Sequence, residues 1–195
     1  MAVRAYTAAM FRARRYSFCA DCGAPTRYEV PADDTRERAV CTRCGTVHYE
    51  NPINVVGTVP VWGEPGAERV LLCRRAIEPR RGLWTLPAGF LELFETVQQG
   101  AARETTEEAG ARFEMGPLLT LLNVAKVGQI HLFFHARLLS ERFDPGPESL
   151  EAQLFSEAEI PWSEIAFQTT RVTLEHFFAD RRAGRRDAVH VGDIA

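Results

Sequence analysis

The chain has 195 residues, of which 46% are hydrophobic and 25% are charged, an ordinary composition for a globular protein with one well-buried domain. Its net charge of −3 gives no reason to expect a general nucleic-acid or membrane partner. No apolar run approaches the roughly 18–20 residues that a membrane-spanning helix requires. These properties exclude a membrane protein and make nucleic acid an unexpected partner.

The first eighteen residues contain four arginines and no acidic residue. Such a bias is found in organellar transit segments, but Ser and Thr are scarce here and no secretory apolar region follows. We expect residues 1–17 to be a poorly ordered leader of a cytoplasmic protein, with organellar targeting as the alternative. The five cysteines, an odd number, favour a reducing compartment over a disulfide framework.

Residues 18–51 have little continuous apolar sequence and need additional stabilisation, such as a bound metal or disulfides, to fold. They hold two Cys-x2-Cys pairs separated by eighteen residues: Cys19, Cys22, Cys41 and Cys44. This spacing is typical of a structural zinc site, and four cysteines leave no open position for catalysis. We therefore predict a zinc ribbon that binds a structural Zn²⁺, with iron as the competing metal. Gly23 and Gly45 follow the two pairs, where a tight backbone turn is expected.

From Val55 onward the apolar residues follow a strand pattern, first in NVVGTVPVW and then in RVLLCRRA after the turn-rich GEPGAE. Cys73, in the second run, is expected to be an inert core thiol. Four arginines come next: Arg74, Arg75, Arg80 and Arg81. Guanidinium groups bind pyrophosphate bidentately, so we expect Arg74, Arg75 and Arg81 to contact a substrate, with surface solubility as the alternative.

Seven residues form the pattern G-x5-E-x7-R-E-x2-E-E-x-G: Gly89, Glu95, Arg103, Glu104, Glu107, Glu108 and Gly110. Three carboxylates at positions i, i+3 and i+4 lie on one face of a helix and repel one another unless a cation is present. Mg²⁺ takes oxygen ligands of this kind. The pattern therefore predicts a metal-binding acidic helix.

Local sequence signals mark both ends of this helix. Thr96 and Gln99 form a T-x-x-Q capping box, and Gly110 suits a left-handed residue at the C-terminal end. Small side chains on the side away from the glutamates are expected to pack on a sheet: Gln98, Ala102, Thr105 and Ala109.

Further strands are predicted at 118–124 and 129–139, a final helix at 170–183, a frayed arginine-rich segment RRAGRRD, and a tail at 184–195. This order favours an α+β sandwich with helices over a mixed sheet. His131 and His135 are expected to be satisfied on one sheet face. Three aromatic side chains either stack on an adenine or pack in the core: Trp84, Phe90 and Phe94.

The seven-residue pattern resembles the Nudix box, and all seven fixed positions match. Thr105 and Ala111 depart from it where the family prefers a bulky aliphatic residue, which affects packing rather than metal binding. The resemblance implies a Nudix α/β/α sandwich over residues 52–183, preceded by the ribbon. It also implies a hydrolase of phosphoric anhydride bonds that depends on Mg²⁺ or Mn²⁺.

The resemblance also assigns roles. Glu104, Glu107 and Glu108 would be catalytic and hold two or more ions. Glu95 would support these ions, and Arg103 would pair with Glu95 and orient the cluster. The close approach of backbone and phosphate would depend on Gly89. Family members recruit a further carboxylate from a later loop. Glu151 of the ESLE segment is the expected residue, and the alternatives are Glu148 or a plain exposed loop glutamate.

A zinc ribbon before a Nudix domain resembles a subgroup that hydrolyses ADP-ribose, FAD or related adenine dinucleotides. The stretches that carry this likeness are FCADCG, VCTRCGTVHYENP, LCRRAIEPRRGLWTLPAGF and ESLEAQLFSEAEIPWSEIAF. NADH-cleaving members carry a Ser-Gln-Pro-Trp-Pro-Phe-Pro type segment after the box, and nothing comparable occurs here. The predicted reaction is hydrolysis of ADP-ribose or FAD with release of AMP, and the alternatives are NADH/NAD hydrolysis and removal of an NAD cap from RNA.

Two further alternatives concern partners. The ribbon could be a binding module, but its arginines are balanced by acids and form no basic stripe of the kind that nucleic-acid binders show. Many family members are dimers, so a homodimer is an alternative to a monomer. A small nucleotide is the expected partner.

Overall fold

The computed structural model describes residues 16–194, and the chain divides into two units between Pro52 and Ile53. Most of the predicted leader, residues 1–15, lies outside the described residues. The unit that ends at Pro52 contains a three-stranded antiparallel sheet in the order β1-β2-β3, formed by β1 (Thr26–Glu29), β2 (Arg38–Cys41) and β3 (Val47–His48). Its core is small and consists of Cys19, Ala24 and Cys41, which fits a unit that relies on a metal.

The second unit is built on an eight-stranded sheet. Its strands are β4 (Ile53–Trp62), β5 (Arg69–Arg75), β6 (Trp84–Thr85), β7 (Ala88–Phe90), β8 (Phe113–Val124), β9 (Gln129–Leu138), β10 (Ser149–Phe155) and β11 (His190–Asp193). The main order is β10-β5-β4-β9-β8-β11, while β6 pairs with β5 and β7 with β4. The β4–β9 and β8–β11 pairs are parallel and the others antiparallel, so the sheet is mixed as predicted.

Two helices cover opposite faces of this sheet, α1 (Val97–Ala109) and α2 (Gln168–Arg182). Successive strand residues point to opposite faces. Phe133 accordingly packs with Phe177 of α2, whereas Phe134 packs with Ala101 of α1. The predicted α/β/α sandwich is confirmed. Short 3₁₀ turns occur at Ala125–Val127, Glu157–Glu159 and Trp162–Glu164. Among the described residues, no helix is long and apolar enough to cross a membrane.

The ends of α1 follow the predicted capping chemistry. The Thr96 hydroxyl accepts a hydrogen bond from the backbone N–H of Gln99, and the Gln99 side chain accepts one from the backbone N–H of Thr96. Gly110 ends the helix in the left-handed region with φ of 58°. Both interactions are local, which is why the sequence alone revealed them.

The predicted packing face of α1 was only half right. Thr105 and Ala109 are buried, but Gln98 is exposed and Ala102 is half-buried. The buried side consists of Gly100, Ala101, Thr105, Glu108 and Ala109. Glu108 therefore lies on the buried side of the helix and not on the open face with Glu107. The Thr105 hydroxyl bonds to that of Thr58 at 2.7 Å, so a polar pair fills the place of an aliphatic contact.

The C-terminal segment contains a strand that the sequence did not predict. Residues His190–Asp193 form β11, which pairs in parallel with Thr120–Asn123 of β8. Asp180 of α2 is buried and accepts hydrogen bonds from Arg185 Nε at 2.9 Å and, in the tautomer with a proton on Nε2, from His190 at 2.7 Å. These contacts fix the turn after α2 and return the chain to the sheet edge.

Candidate active site and zinc ribbon

The four cysteines of the ribbon come together as predicted. Their Sγ atoms all lie within 4.8 Å of one another, and three of the pairs are 3.4–3.6 Å apart. Four sulfurs around a tetrahedral zinc ion at about 2.3 Å would be roughly 3.8 Å apart, so the donor set fits Zn²⁺. Within the described residues, this is the only group of three or more potential ligands that is gathered so closely.

The two knuckles have the backbone that such a site requires. Gly23 and Gly45 have φ of 71° and 76°, the left-handed turn that glycine adopts without strain. The backbone N–H groups of Arg43 and Cys44 donate to Cys41 Sγ at 3.4 and 3.3 Å. Hydrogen bonds from Thr46 lower the pKa of the Cys44 thiol to about 6, which favours the thiolate form.

In the second unit, β7 lies along the acidic side of α1, and its three residues each meet one position of the helix. Ala88 N–H donates to Glu108 Oε2 at 3.0 Å. A Cβ on Gly89 would lie 2.2 Å from the carboxyl carbon of Glu104, so only glycine leaves room for this carboxylate. The carbonyl of Phe90 accepts from Arg103 Nη2 at 3.0 Å.

Arg103 organises the acidic residues. It donates through Nε and Nη2 to the two carboxylate oxygens of Glu95, at 3.1 and 2.7 Å, which confirms the predicted pair. Its Nη1 also reaches Glu104 at 2.6 Å and Glu107 at 3.2 Å. One guanidinium thus holds three carboxylates. The hydrogen bonds from Arg103 lower the pKa of Glu95.

The remaining negative charge is only partly compensated. Burial raises the pKa of Glu108 to about 8 and also raises that of Glu104. For Glu108 the Ala88 N–H and the charge of Arg75 act in the opposite direction. Buried carboxylates with incomplete compensation, next to the open carboxylate of Glu107, are hard oxygen donors that suit a divalent cation. This site therefore fits Mg²⁺ or Mn²⁺.

The two glutamates of the ESLE segment have different surroundings. Glu151 is paired with Arg74 at 3.0 Å, directly across the β10–β5 ladder. Glu148 precedes β10 and interacts electrostatically with both Glu104 and Glu108. Its loop contacts the end of α1, where Gly146 N–H donates to Glu108 O at 3.4 Å. The register of β10 against β5 places Glu151 beside Arg74, whereas Glu148 lies in the loop before the strand.

The arginines before Trp84 divide into two kinds. Arg74 Nε donates to Gly82 O, and Arg75 Nε donates to Pro79 O, both at 2.8 Å. Both side chains thus hold the backbone of the loop 76–82. The guanidinium of Arg75 also lies over the Phe167 ring, at 5.1 Å from its centroid. Arg80 and Arg81 are exposed and form no ion pair within the described part of the chain, so both are open to a phosphate.

Other predicted residues have structural positions. Trp84 is buried and packs edge-on to Phe155. Burial raises the pKa of Cys73, as expected of a core thiol.

His131 and His135 contact residues of the α2 face, Phe133 and Phe177 respectively. The expectation that both are satisfied is met only in part: His131 Nε2 shares a hydrogen bond with Gln129 Oε1 at 2.9 Å, but the buried Nδ1 atom of each histidine has no hydrogen-bond partner among residues 16–194.

The fold and the site define a class: an α/β/α sandwich with a carboxylate-rich helix held by a central arginine against a glycine of the sheet. The NUDIX domain profile matches residues 52–177, and the profile of the Nudix N-terminal zinc ribbon matches residues 17–50. The chain belongs to the Nudix hydrolase family and carries the zinc ribbon of that family.

The chain is similar to several known proteins. A Nudix hydrolase structure from Nitrosomonas europaea is 46% identical with a TM-score of 0.85, over 92% of this chain and 99% of that one. The NAD-capped RNA hydrolases NudC of Stutzerimonas stutzeri and Pseudomonas aeruginosa are 28% and 30% identical, over 91% and 92% of this chain. This chain spans only 61% and 62% of their lengths.

An ADP-ribose pyrophosphatase structure from Streptococcus suis has a TM-score of 0.55 at 22% identity, and it covers 74% of this chain and 100% of that one. At this level of identity the likeness concerns the fold alone.

Proposed function

We propose that the protein is a Nudix pyrophosphatase that hydrolyses the diphosphate bond of a nucleoside diphosphate derivative, ADP-ribose or FAD, and releases AMP. The observation that carries this proposal is the fit of β7 to α1. The missing side chain of Gly89 admits Glu104, the N–H of Ala88 holds Glu108, and Glu107 lies open beside them. A solvated acidic helix would need none of these contacts.

Glu104, Glu107 and Glu108 would hold the divalent cations, with support from Glu95 and Glu148. Mg²⁺ or Mn²⁺ at such a site neutralises phosphate charge and lowers the pKa of a bound water. Arg103 keeps three of the carboxylates in place through the hydrogen bonds described above, a supporting role that ligand sets require.

The chain's own groups perform the remaining steps. A water molecule attacks one phosphorus of the diphosphate, and its proton passes to a carboxylate of the box. The bond from that phosphorus to the bridging oxygen breaks, and the products are AMP and a second phosphomonoester. Arg81, on the exposed loop 76–82, would bind phosphate oxygens bidentately. Because Arg74 and Arg75 bind carbonyls of this loop, they fix the position of Arg81.

A second candidate substrate is an NAD-capped RNA or NAD(H) itself. The likeness to the two NAD-capped RNA hydrolases favours it, and the absence of the proline-aromatic segment after the box speaks against an NADH specialist. In the ribbon, Arg27 pairs with Glu29 and Arg38 with Asp34, so acids already compensate two of its four arginines and weaken its attraction for an RNA backbone. We therefore place ADP-ribose and FAD first.

The test is a substrate panel with Mg²⁺ and with Mn²⁺: ADP-ribose, FAD, NADH and an NAD-capped RNA, with AMP or capped-RNA loss as the readout. Glu107→Gln should lose nearly all turnover while keeping the melting temperature, because its side chain is mostly exposed. Glu175→Gln, an exposed glutamate on α2, is the matched control. Cleavage of none of these substrates by the wild type, or equal activity of both variants, would overturn the proposal.

A further inference from the structure

Phe94, in the loop between β7 and α1, has a strained backbone conformation, and burial of its side chain does not offset the free-energy cost of this strain. Its φ is 70°, in the left-handed region that a bulky L-residue rarely adopts. Its side chain is fully exposed, at 104% of the reference value, and that of Leu93 is 83% exposed. Glycine would fit this backbone without strain, and the exposed ring gains no burial in return. Strained residues of this kind are concentrated at functional sites.

The loop that carries Phe94 is fixed on both sides of its tip. Leu91 N–H donates to Asn54 O at 3.0 Å, and the Leu91 side chain packs in the core below α1. Glu92 N–H donates to Glu95 Oε1 at 2.8 Å, and the capping box at Thr96 follows directly. The exposed tip is therefore held in one place beside the carboxylates that Arg103 organises.

We propose that Phe94 is a specificity-determining residue whose ring stacks on the nucleobase of the substrate. This inference rests on the proposed function, because the base must be joined to a diphosphate that occupies the acidic site. The surroundings of Phe94 change over a short distance from charged groups at Glu95 and Arg103 to an apolar tip. A nucleotide changes in the same way, from an anionic diphosphate to a planar aromatic base. Stacking on a Phe ring recognises a base without hydrogen bonds and tolerates different bases.

A second copy of the chain is a less suitable occupant. A stable dimer interface buries about 800 Å² on each partner, whereas two adjacent side chains, Leu93 and Phe94, supply only a part of that area. The patch has a suitable size for a single base.

The test compares AMP with ribose 5-phosphate, which differ only by the base, in calorimetric titrations of the wild type, Phe94→Gly and Phe94→Trp. Phe94→Gly should weaken AMP binding roughly tenfold or more and leave ribose 5-phosphate unchanged, while Phe94→Trp keeps AMP binding. Phe94→Gly should not lower the melting temperature, because it removes backbone strain. Val191→Ala, at an exposed apolar residue of β11, is the control and should bind AMP as the wild type does.

Equal AMP affinity of the wild type and Phe94→Gly would overturn the inference, as would the absence of AMP binding by the wild type. Conversion of a wild-type dimer into a monomer by Phe94→Gly would also overturn it, in favour of self-association. Hydrolysis of ADP-ribose is measured in parallel. If the protein cleaves ADP-ribose and Phe94→Gly changes neither cleavage nor AMP binding, the proposed function holds and the inference about Phe94 is wrong. If AMP binding depends on Phe94 but no diphosphate is cleaved, the proposed function is wrong and the base-binding role of Phe94 holds.

Discussion

The carboxylate of Glu104 lies where the Cβ of any other residue at position 89 would have to be. The distance from that Cβ position to the carboxyl carbon is 2.2 Å, well inside van der Waals contact. The Glu104 carboxylate can occupy this position only because Gly89 has no side chain. The glycine therefore acts on the site through Glu104.

Gly89→Ala should displace the Glu104 carboxylate and lower kcat on the order of 100-fold, since small misplacements in an active site have effects of this size. The melting temperature should change little, because Glu104 can move towards solvent. Steady-state hydrolysis of the best substrate of the panel measures the effect. Gly192→Ala in β11 is a matched control, because its added Cβ would meet only Leu122 at 3.8 Å. An active Gly89→Ala would contradict the role of this contact.

Glu148 and Glu151 allow a paired comparison. Glu148→Gln should lower kcat roughly ten- to hundredfold, because the charge of Glu148 acts on both Glu104 and Glu108. Glu151→Gln should keep kcat near the wild-type value, because the Glu151 carboxylate pairs with Arg74 and is half-exposed. Initial rates at several Mg²⁺ concentrations provide the measurement. The reverse order of effects would restore Glu151 as the further carboxylate.

The ribbon should contain about one zinc ion per chain when the protein is purified without chelators. Cys41→Ser should lower the zinc content and loosen the ribbon, since this buried sulfur accepts two backbone hydrogen bonds and faces Cys22. Cys73→Ala should leave the zinc content unchanged because Cys73 is in the core of the other unit. Metal analysis by mass spectrometry is decisive, and iron in place of zinc would count against the assignment.

Protonation of His135 should link stability to pH. Burial lowers its pKa to about 4, below the ordinary 6.5, and the nearby charge of Arg181 adds to this effect. The unfolded chain therefore binds the proton first, and the free energy of unfolding should decrease as the pH falls from about 6.5 towards 4. His135 should contribute on the order of 1 kcal/mol to the decrease between pH 7 and pH 5.

Urea unfolding of the wild type and His135→Phe at pH 7 and pH 5 tests this linkage. The variant should show a smaller decrease between the two pH values. The difference between pH values is the readout, so a uniform change in packing next to Phe177 does not obscure it. An identical decrease in both proteins would mean that His135 is protonated equally easily in the folded state.

Much of the fold was predictable because its signals are local. The Thr96–Gln99 box and Gly110 fixed the ends of α1 through contacts within a few residues. The strand β11 escaped prediction because its partner, β8, lies about 70 positions away and its four residues are too few to show a period. Its anchor, Asp180, is a single buried acid that no local pattern distinguishes.

The site was predictable in its box and less so in its surroundings. The fixed residues of the box lie on α1, at its C-terminal end, or on the strand and loop just before it. Their spacing in the sequence is therefore enough to predict that they come together. Which of Glu148 and Glu151 pairs with Arg74 depends instead on how β10 is aligned with β5, which is a property of the folded sheet. The roles of Arg74 and Arg75 also depend on the folded structure. Their side chains donate to backbone carbonyls of the loop 76–82, whose conformation the sequence does not reveal.

The parallel pairing of β11 with β8 has a consequence for the behaviour of the protein in solution. An uncovered β8 would present a row of backbone donors and acceptors to the edges of other chains, a route to aggregation. Residues 190–193 occupy these groups, and Asn123 and Asp193 close the end of the ladder at 3.3 Å. The strand therefore replaces part of the long β8 edge with an edge of only four residues, which offers fewer groups to another chain, and the hydrogen bond between His190 and Asp180 holds it in place.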